Sequence, residues 1–408
     1  MAKHVYVDNL PDRVLRCRHV SIVEPPPEIV SLLREAEFYH EAQIRNFRID
    51  ATLVSTLVER WRTETHTFHL TCCETTITLE DVALLLGLPI NGHEVIGQTS
   101  GLGSAVCAEL LGVVPSVEQR KGQSITLTWL EETFGMLPYD ASQHQIEYYA
   151  RAYILRLIGC VLMPDMSQNR FHLKWLPLLR DFTEAGRYSW GAACLDFKYI
   201  PSNPCYRNLS SGLKVLIIVD YLANNFEQFI WRPYDSNKII AQVPHDIFAD
   251  RPLWTAFTSL ICFEVVEWHQ TDRVTKQFGF AQGVPLNLVC IGLTHDHDLR
   301  GRIDTDWALM HKRWIGYWRD RASRCLSLHI LAGNNAMSVE YYDWYTTNTI
   351  LFLSTDQDLL DPRTRANTLP APLRAFPTVV VDVSPPSPPA RRRRQHNSRA
   401  KNDEAHIP

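Results

Sequence analysis

The clearest structural signals in this chain lie in residues 57–89, which read LVERWRTETHTFHLTCCETTITLEDVALLLGLP. Two segments within it, residues 65–70 and 74–79, are short, rich in Thr, Phe and Ile, and alternate in polarity. Segments of this kind favour β-strands. We therefore predict a small β-hairpin that turns at residues 71–73.

A short helix is predicted directly after the hairpin. Thr78 and Asp81 have the spacing of a capping box, in which each side chain accepts a hydrogen bond from the other residue's backbone N–H. Gly87 lies at the end of the apolar run, and Pro89 follows it. Because glycine commonly ends a helix and proline cannot continue one, these residues predict a helix over residues 80–86.

Most of the remaining chain up to residue 360 has helical apolar spacing. Upstream of the hairpin, apolar residues recur every four positions from Ile49 to Trp61, which predicts an amphipathic helix whose last turn holds Arg60 and Arg62. Other helical segments are predicted at residues 28–33, 129–130, 146–162, 175–182, 253–268 and 307–331. The fold class predicted is thus mainly α, a multi-helix globular domain with one small hairpin.

The chain divides into three predicted parts. Residues 1–28 are a lead-in that ends in three prolines, and residues 29–360 form the helical domain, which a break near residues 195–235 would divide into two subdomains. Residues 361–408 are rich in Pro and Arg and lose apolar periodicity. That composition predicts a disordered tail.

Charge and cysteine usage narrow the class of protein. The net charge is −4, but residues 391–408 carry six basic and two acidic residues, so the rest of the chain is at −8. A body of that sign is a poor general binder of polyanions. The polar N-terminus does not resemble a signal peptide, and no apolar run approaches the roughly 20 residues that span a bilayer. We expect a reducing compartment with buried, unpaired cysteines and no membrane partner.

Seven segments, taken in order along the chain, resemble the plant mobile domain family: residues 57–70, 74–82, 85–89, 149–155, 189–191, 266–274 and 277–279. The resemblance covers roughly residues 32–352. Two features differ from the family pattern. Cys73 stands where the family usually has glycine, and residues 198–225 match poorly.

The resemblance implies a nuclear protein of a domain carried by host genes and by mobile elements. It further implies a role in transcriptional and transposon silencing and in meristem maintenance, acting with a protein partner that resembles phosphatase 7. Some family members carry the labels "aminotransferase-like" and "phosphatase 7 long form homolog". The metal-binding Gly-Asp-x-His-Gly, Gly-Asp-x-x-Asp-Arg-Gly and Gly-Asn-His-Glu motifs of such phosphatases do not occur here. We therefore predict no enzyme and no cofactor.

A zinc site is the sharpest chemical alternative near the hairpin. His66, His69, Cys72 and Cys73 offer four possible ligands within eight residues. Zinc sites favour separated ligand pairs, adjacent cysteines seldom both reach one ion, and the two histidines would point to opposite faces of a strand. We therefore favour structural packing. A weaker metal candidate is the His-Asp-His-Asp run at residues 295–298.

The remaining candidates are for interaction with a partner. They fall in the hairpin region and in one later motif, and they are Arg60, Trp61, Arg62, Glu64, His66, His69, Trp268, His269 and Arg273. For Arg60, Trp61 and Arg62 the simpler interpretation is a helix end with a buried tryptophan. For Trp268 and His269 it is the start of a helix with a packed tryptophan.

The tail carries a separate signal. Arg391, Arg392, Arg393 and Arg394 form a basic cluster in a proline-rich context. Such a cluster is accessible to a nuclear import receptor or to a phosphate backbone. Nuclear localisation is the favoured interpretation. The alternative is a nucleic-acid-associated protein of mobile-element origin that uses this tail.

Overall fold

The computed structural model describes residues 24–44, 57, 60–62, 65–70, 73–97, 99, 101–164, 169–199, 231–286, 305–326 and 337–349. These residues all belong to one compact unit of the chain. Most of the predicted lead-in, residues 200–230 of the predicted subdomain break and the whole predicted tail lie outside the described residues.

Helices predominate in the described residues, so the predicted mainly α fold is confirmed. The α-helices are α1 (Val30–Glu35), α2 (Leu79–Leu86), α3 (Ser104–Leu111), α4 (Leu127–Phe134), α5 (Gln143–Leu157), α6 (Phe182–Ala185), α7 (Trp190–Tyr199), α8 (Asn237–Ile240), α9 (Trp307–Met310), α10 (Lys312–Arg319) and α11 (Val339–Asn348). Short 3-10 helices span Pro27–Ile29, Glu41–Gln43, Leu173–Leu179, Pro233–Asp235, Ile247–Thr255, Thr271–Phe278 and Arg321–Arg324, and a π-helical turn covers Ile158–Leu162. Among the described helices none is long and apolar enough to cross a bilayer.

Three small antiparallel sheets accompany the helices. Their strands are β1 (Trp61–Arg62), β2 (Thr67–His69), β3 (Glu74–Thr75), β4 (Arg120–Lys121), β5 (Ser124–Thr126), β6 (Arg170–His172), β7 (Thr258–Cys262) and β8 (Val265–His269). The sheet orders are β1-β2-β3, β4-β5-β6 and β7-β8. The predicted hairpin is therefore present as β2 and β3, with Phe68 opposite Thr75.

Helix α2 forms as its sequence predicts. The Thr78 backbone N–H donates to Asp81 Oδ2 at 2.7 Å, and the Asp81 N–H donates back to Thr78 Oγ1 at 3.4 Å, which completes the capping box. Gly87 ends the helix at φ +61°. A side chain there would be strained by that φ and would also meet His40, since a Cβ would lie 2.4 Å from the His40 Cβ.

The carboxyl end predicted for the helix upstream of the hairpin was placed wrongly. Trp61 and Arg62 do not form a helical last turn, because they form strand β1, which pairs with Phe68 and Thr67 of β2. The strands are also shorter than predicted. His66 lies in the turn before β2 at φ +52°, a left-handed conformation that non-glycine residues seldom adopt.

The helix predicted over residues 253–268 was also wrong. Its first residues end the 3-10 helix Ile247–Thr255, and the rest form the hairpin β7–β8. All ten residues of the two strands are buried, because α7 packs on the hairpin and α10 covers β7. A strand with both faces covered shows no polar alternation, so its apolar run is indistinguishable from that of a helix.

The long helix predicted over residues 307–331 is broken into α9, α10 and the 3-10 helix Arg321–Arg324, and residues 327–331 lie outside the described part. The tryptophans of this segment pack into the core: Trp307, Trp314 and Trp318 are all buried. Five of the six described cysteines are buried as well, and no disulfide joins any of the six.

Candidate functional site

The structure brings His69 and Arg273 together, with Arg60, Trp61 and Arg62 nearby, where β1–β3 meets the 3-10 helix Thr271–Phe278 and helix α11. We call the polar residues at this junction the hairpin cluster; it consists of Thr67, His69, Glu74, Arg273, Tyr341 and Tyr345. Arg60 and Arg62 border it, with Arg60 Nη1 donating to the His69 carbonyl oxygen at 3.3 Å. Trp61 lies on Phe68, with their ring centroids 4.7 Å apart.

An ion pair forms the centre of the hairpin cluster. Arg273 Nη1 donates to both carboxylate oxygens of Glu74, at 2.8 and 3.0 Å. The Glu74 side chain is 1% exposed and that of Arg273 is 11% exposed. Thr67 Oγ1 also donates to Glu74 Oε2 at 3.1 Å. Burial raises the pKa of Glu74, and the guanidinium and the hydroxyl oppose that rise.

His69 is held as a neutral imidazole in this cluster. Its Nδ1 lies 2.7 Å from Thr349 Oγ1, and its Nε2 lies 3.6 Å from Glu74 Oε1. Burial, together with the positive charges of Arg62 and Arg273, lowers the pKa of His69 to about 4. Arg273, and not His69, is therefore the cation that contacts Glu74.

Helix α11 closes the hairpin cluster with two stacked tyrosines. Tyr345 donates its hydroxyl to the Leu70 carbonyl oxygen at 2.6 Å, and the Glu74 backbone N–H donates to the Tyr341 hydroxyl at 3.3 Å. Buried Cys73 packs with both tyrosines in a small apolar cluster. The Arg273 guanidinium lies 5.6 Å from the Trp344 ring centroid. The cluster thus links the hairpin to residues nearly 270 positions later in the chain.

A second buried group of polar residues lies where the turn at His66 meets β8. His66 Nε2 is 3.5 Å from Glu267 Oε2, and both side chains are buried. Asp196 of α7 is fully buried and interacts electrostatically with Glu267. Burial raises the pKa of Asp196 well above its usual range, and the charge of Glu267 adds to that rise.

Trp268 and His269 end strand β8 rather than beginning a helix. Trp268 packs edge-on against Trp314 and Tyr317, with centroid distances of 5.5 and 5.2 Å. Leu79, the first residue of α2, donates its N–H to His269 Nε2 at 3.2 Å, and His269 Nδ1 lies 2.8 Å from the Ala256 carbonyl oxygen. His269 therefore carries its proton on Nδ1. Burial lowers its pKa to about 4.

Several predicted site residues lie outside the described part of the chain. They are Glu64, Cys72, residues 295–298 and the tail residues Arg391, Arg392, Arg393 and Arg394. Of the zinc candidates that are described, His66 and Cys73 have different neighbours: His66 faces Glu267, and Cys73 packs with the tyrosines of α11. Across the described ranges, no three His, Cys, Asp or Glu side chains are grouped so that they could hold a metal ion.

The sequence analysis missed two loops beside helix α5 that carry exposed apolar side chains. These side chains are Val113, Val114, Val117, Met136 and Tyr139, five of the twelve large hydrophobic side chains that are exposed among the described residues. We call this set of five side chains the α5 apolar surface. Gly112 lies against the Tyr148 ring of α5, and the Met136 carbonyl oxygen accepts from the Tyr149 hydroxyl at 2.8 Å, so both loops border the same helix. Apolar residues in loops, outside any helical spacing, are the sequence signal that could have revealed it.

Comparison with known proteins gives a consistent set of relatives. The family model described as "Plant mobile domain" matches residues 37–201 and 207–346. The sequence analysis expected a poor match to the family over residues 198–225, but the model leaves only residues 202–206 of that range unmatched. Protein MAIN-LIKE 2 of Arabidopsis thaliana is 44% identical over 342 residues, which cover 71% of this chain and 51% of that protein. Protein MAINTENANCE OF MERISTEMS of the same plant is 30% identical over 398 residues, covering 85% of this chain and 80% of that protein.

A third relative differs in length. The Arabidopsis thaliana protein named "Serine/threonine-protein phosphatase 7 long form homolog" is 31% identical over 413 residues, covering 86% of this chain. The chain spans only 31% of that protein's length. No solved structure matches the chain.

Proposed function

Because the chain belongs to the plant mobile domain family, we propose that it is a non-enzymatic protein-interaction module of the nucleus. In this proposal it takes part in gene and transposon silencing. It also takes part in meristem maintenance, for which one relative is named. Its partner is a protein that resembles phosphatase 7. The basic cluster Arg391–Arg394 brings the chain into the nucleus.

The α5 apolar surface is the observation that carries the proposal. Val117, Met136 and Tyr139 are 78%, 85% and 107% exposed, whereas apolar side chains of the same kinds fill the core. Apolar side chains gathered on a surface commonly mark a contact with another protein, since covering them removes apolar area from water. The titratable groups of the hairpin cluster, in contrast, are turned towards one another.

The test is recovery of a specific partner by the full-length chain. A tagged chain is expressed in Arabidopsis thaliana cells, the extract is treated with nuclease, and proteins that resemble phosphatase 7 are measured in the purified fraction. We expect recovery by the wild-type chain and a loss of most of it in the double variant Val117→Ser/Met136→Ser. Leu309→Ser, at an apolar residue of α9 that is 72% exposed, is the matched control and keeps full recovery.

Two outcomes would contradict the proposal. Equal recovery by the double variant and the wild-type chain would show that the partner does not bind through the α5 apolar surface. Recovery that disappears with nuclease would favour the nucleic-acid-associated alternative, because the partner would then be held through nucleic acid bound by the basic tail.

A further inference from the structure

An open cleft lies at the carboxyl end of α2, on a different part of the chain from the α5 apolar surface. Its volume is about 460 Å³, within the roughly 300–1,000 Å³ typical of ligand sites. Residues 87–93 form one side, and the others come from the loop after α1, the turn after α6 and the 3-10 helix Ile247–Thr255. The cleft is thus assembled from four separate segments of the chain.

The walls of the cleft are held in place by backbone contacts. The His93 N–H donates to the Arg187 carbonyl oxygen at 2.8 Å, and the Gly191 N–H donates to the Pro89 carbonyl oxygen at 2.8 Å. Gly92 has φ +127°, and a Cβ there would lie 2.4 Å from the Arg187 carbonyl oxygen. These contacts fix residues 89–93 against residues 187–191, so that part of the cleft is held in place without a ligand.

The charged groups of the cleft are mainly acidic. Glu37, Asp246 and Asp250 are its three carboxylates. Asn91 Nδ2 donates to Asp250 Oδ1 at 2.9 Å, whereas no Lys or Arg of the described residues forms an ion pair with Glu37 or Asp246. Burial raises the pKa of Glu37, and the charge of Asp246 adds to that rise. A positive group placed between these two carboxylates would therefore be attracted by both.

Two arginines belong to the surroundings and are already engaged. Arg187 lines the cleft, but its Nη1 lies 2.7 Å from Glu184 Oε1. Arg321 reaches the back of the wall, where its Nη2 contacts Asn91 Oδ1 and lies 3.3 Å from the Gly92 carbonyl oxygen. Neither guanidinium pairs with Glu37 or Asp246, whereas the charge of Arg321 acts on Asp250.

The partly exposed apolar residues of the lining suit an alkyl chain. They are Pro89 and Ile247, which are half-buried, whereas Leu88 and Ile90 belong to the buried core. A lysine or arginine side chain combines an apolar stem with a charged end, and such side chains bury the stem against apolar surface while the charge finds carboxylates. An anion would meet like charge here.

We propose that this cleft binds an arginine or lysine side chain in a basic segment of a partner protein, with the stem along Pro89 and Ile247 and the cation between Glu37 and Asp246. The inference rests on the proposed function, since it names the chemistry of a second contact with a protein partner. A basic segment complements a chain whose body carries an excess of acidic residues.

The test uses a defined peptide and the full-length chain. The probe is a fluorescein-labelled dodecapeptide with three arginines separated by glycine and serine, and its binding is measured by anisotropy at fixed ionic strength. We expect the double variant Glu37→Gln/Asp246→Asn to bind about tenfold more weakly, the equivalent of about 1.4 kcal/mol. The control is Glu132→Gln/Asp140→Asn, which makes the same charge change at two exposed positions and alters binding less than about twofold.

A second probe tests the charge itself. The same peptide with citrulline in place of arginine keeps the shape and loses the positive charge, and we expect it to lose at least about tenfold in affinity for the wild-type chain. Equal affinity for both peptides, equal weakening in the control variant, or no wild-type binding at about 1 mM peptide would overturn the proposal. Recovery of the phosphatase-like partner from cells does not depend on this assay, so the two proposals can fail separately.

Discussion

The hairpin cluster and the α5 apolar surface place side chains in opposite ways. In the hairpin cluster, charged and hydroxyl groups are inside, with Glu74 only 1% exposed. At the α5 apolar surface, Met136 and Tyr139 are outside, 85% and 107% exposed. A buried charge is tolerated only when partners surround it, and here the protein itself supplies them. An exposed apolar group has no such partner within the described residues, which is why we assign the first region to folding and the second to binding.

The two regions also differ in how much of the chain they connect. The hairpin cluster joins Glu74 to Arg273 and to Tyr341, across 199 and 267 residues. The α5 apolar surface draws on residues 113–139 alone. A change in the cluster should therefore affect the stability of the whole unit, whereas a change in the surface should leave stability nearly intact.

Removing Arg273 should give the largest effect on stability. Arg273→Met leaves the carboxylate of Glu74 buried without its cation, and breaking a buried pair in this way costs about 3–5 kcal/mol. We expect a loss of that size in the free energy of unfolding, measured by urea denaturation. The matched control is Arg180→Met, at an exposed pair with Glu109, where about 0–1 kcal/mol is expected.

A double variant sharpens this prediction. Glu74→Gln/Arg273→Met removes both charges, so it should be more stable than Arg273→Met alone, because no buried charge remains uncompensated. If the double variant were as unstable as the sum of the two single variants, the ion pair would not be the reason for the loss.

A smaller effect is expected from the titration of His269, which should make the free energy of unfolding depend on pH. Its pKa is about 4 in the folded chain because of burial, against about 6.5 in an unfolded chain. The unfolded state therefore binds more protons between these two values, and the stability contributed by this residue falls as the pH drops from about 6.5 to about 4. The full change for one such group is about 3 kcal/mol at most.

The variant that isolates this contribution is His269→Gln, which can accept from Leu79 and donate to Ala256 but cannot titrate. The wild-type chain should lose more stability than this variant between pH 6.5 and pH 4, measured by urea denaturation across that range. His144→Gln, whose side chain is 83% exposed, serves as the control and should follow the wild-type curve. Parallel curves for His269→Gln and the wild type would contradict the assignment.

Local signals predicted the fold where the determining residues are neighbours in sequence. The helix α2 follows from Thr78, Asp81 and Gly87, which satisfy its first N–H groups and end its last turn. The hairpin β7–β8 was missed because its structure depends on α7 and α10, which cover its faces from distant parts of the chain. Polar–apolar periodicity reveals a strand only when one of its faces is buried and the other exposed. Both faces of this hairpin are buried, so its sequence shows no such periodicity.

The same division applies to the candidate site. The residues His69 and Arg273 were selected from the sequence, and the structure places both at the hairpin cluster. Their connection through Glu74 could not be predicted, since no local pattern relates residues 199 positions apart. Tyr341 and Tyr345 were missed for the same reason: their spacing predicts only one face of a helix, not which surface that face meets.

Tyr345→Phe tests the link between the hairpin and α11 with a smaller change. It removes the hydroxyl that donates to the Leu70 carbonyl oxygen and leaves the ring in place. A single hydrogen bond of this kind contributes about 0.5–1.5 kcal/mol, so we expect a loss of about 1 kcal/mol in the free energy of unfolding. Tyr342→Phe, at a tyrosine of the same helix that is 54% exposed, should change stability less than about 0.5 kcal/mol. A loss of equal size in both variants would mean that the hydrogen bond to Leu70 contributes nothing specific.

The smallest effect on stability is expected at the α5 apolar surface, and it decides the comparison. Val117→Ser/Met136→Ser changes side chains that are 78% and 85% exposed, so the free energy of unfolding should move by less than about 0.5 kcal/mol per site. Urea denaturation of the purified variant measures this directly. A loss of several kcal/mol would show that these residues pack in the folded chain, and the contrast with the hairpin cluster would disappear. Unchanged stability together with loss of the partner would show that the hairpin cluster serves folding and the α5 apolar surface serves binding. A surface that contributes nothing to the stability of the fold can affect recovery of the partner only by contacting it.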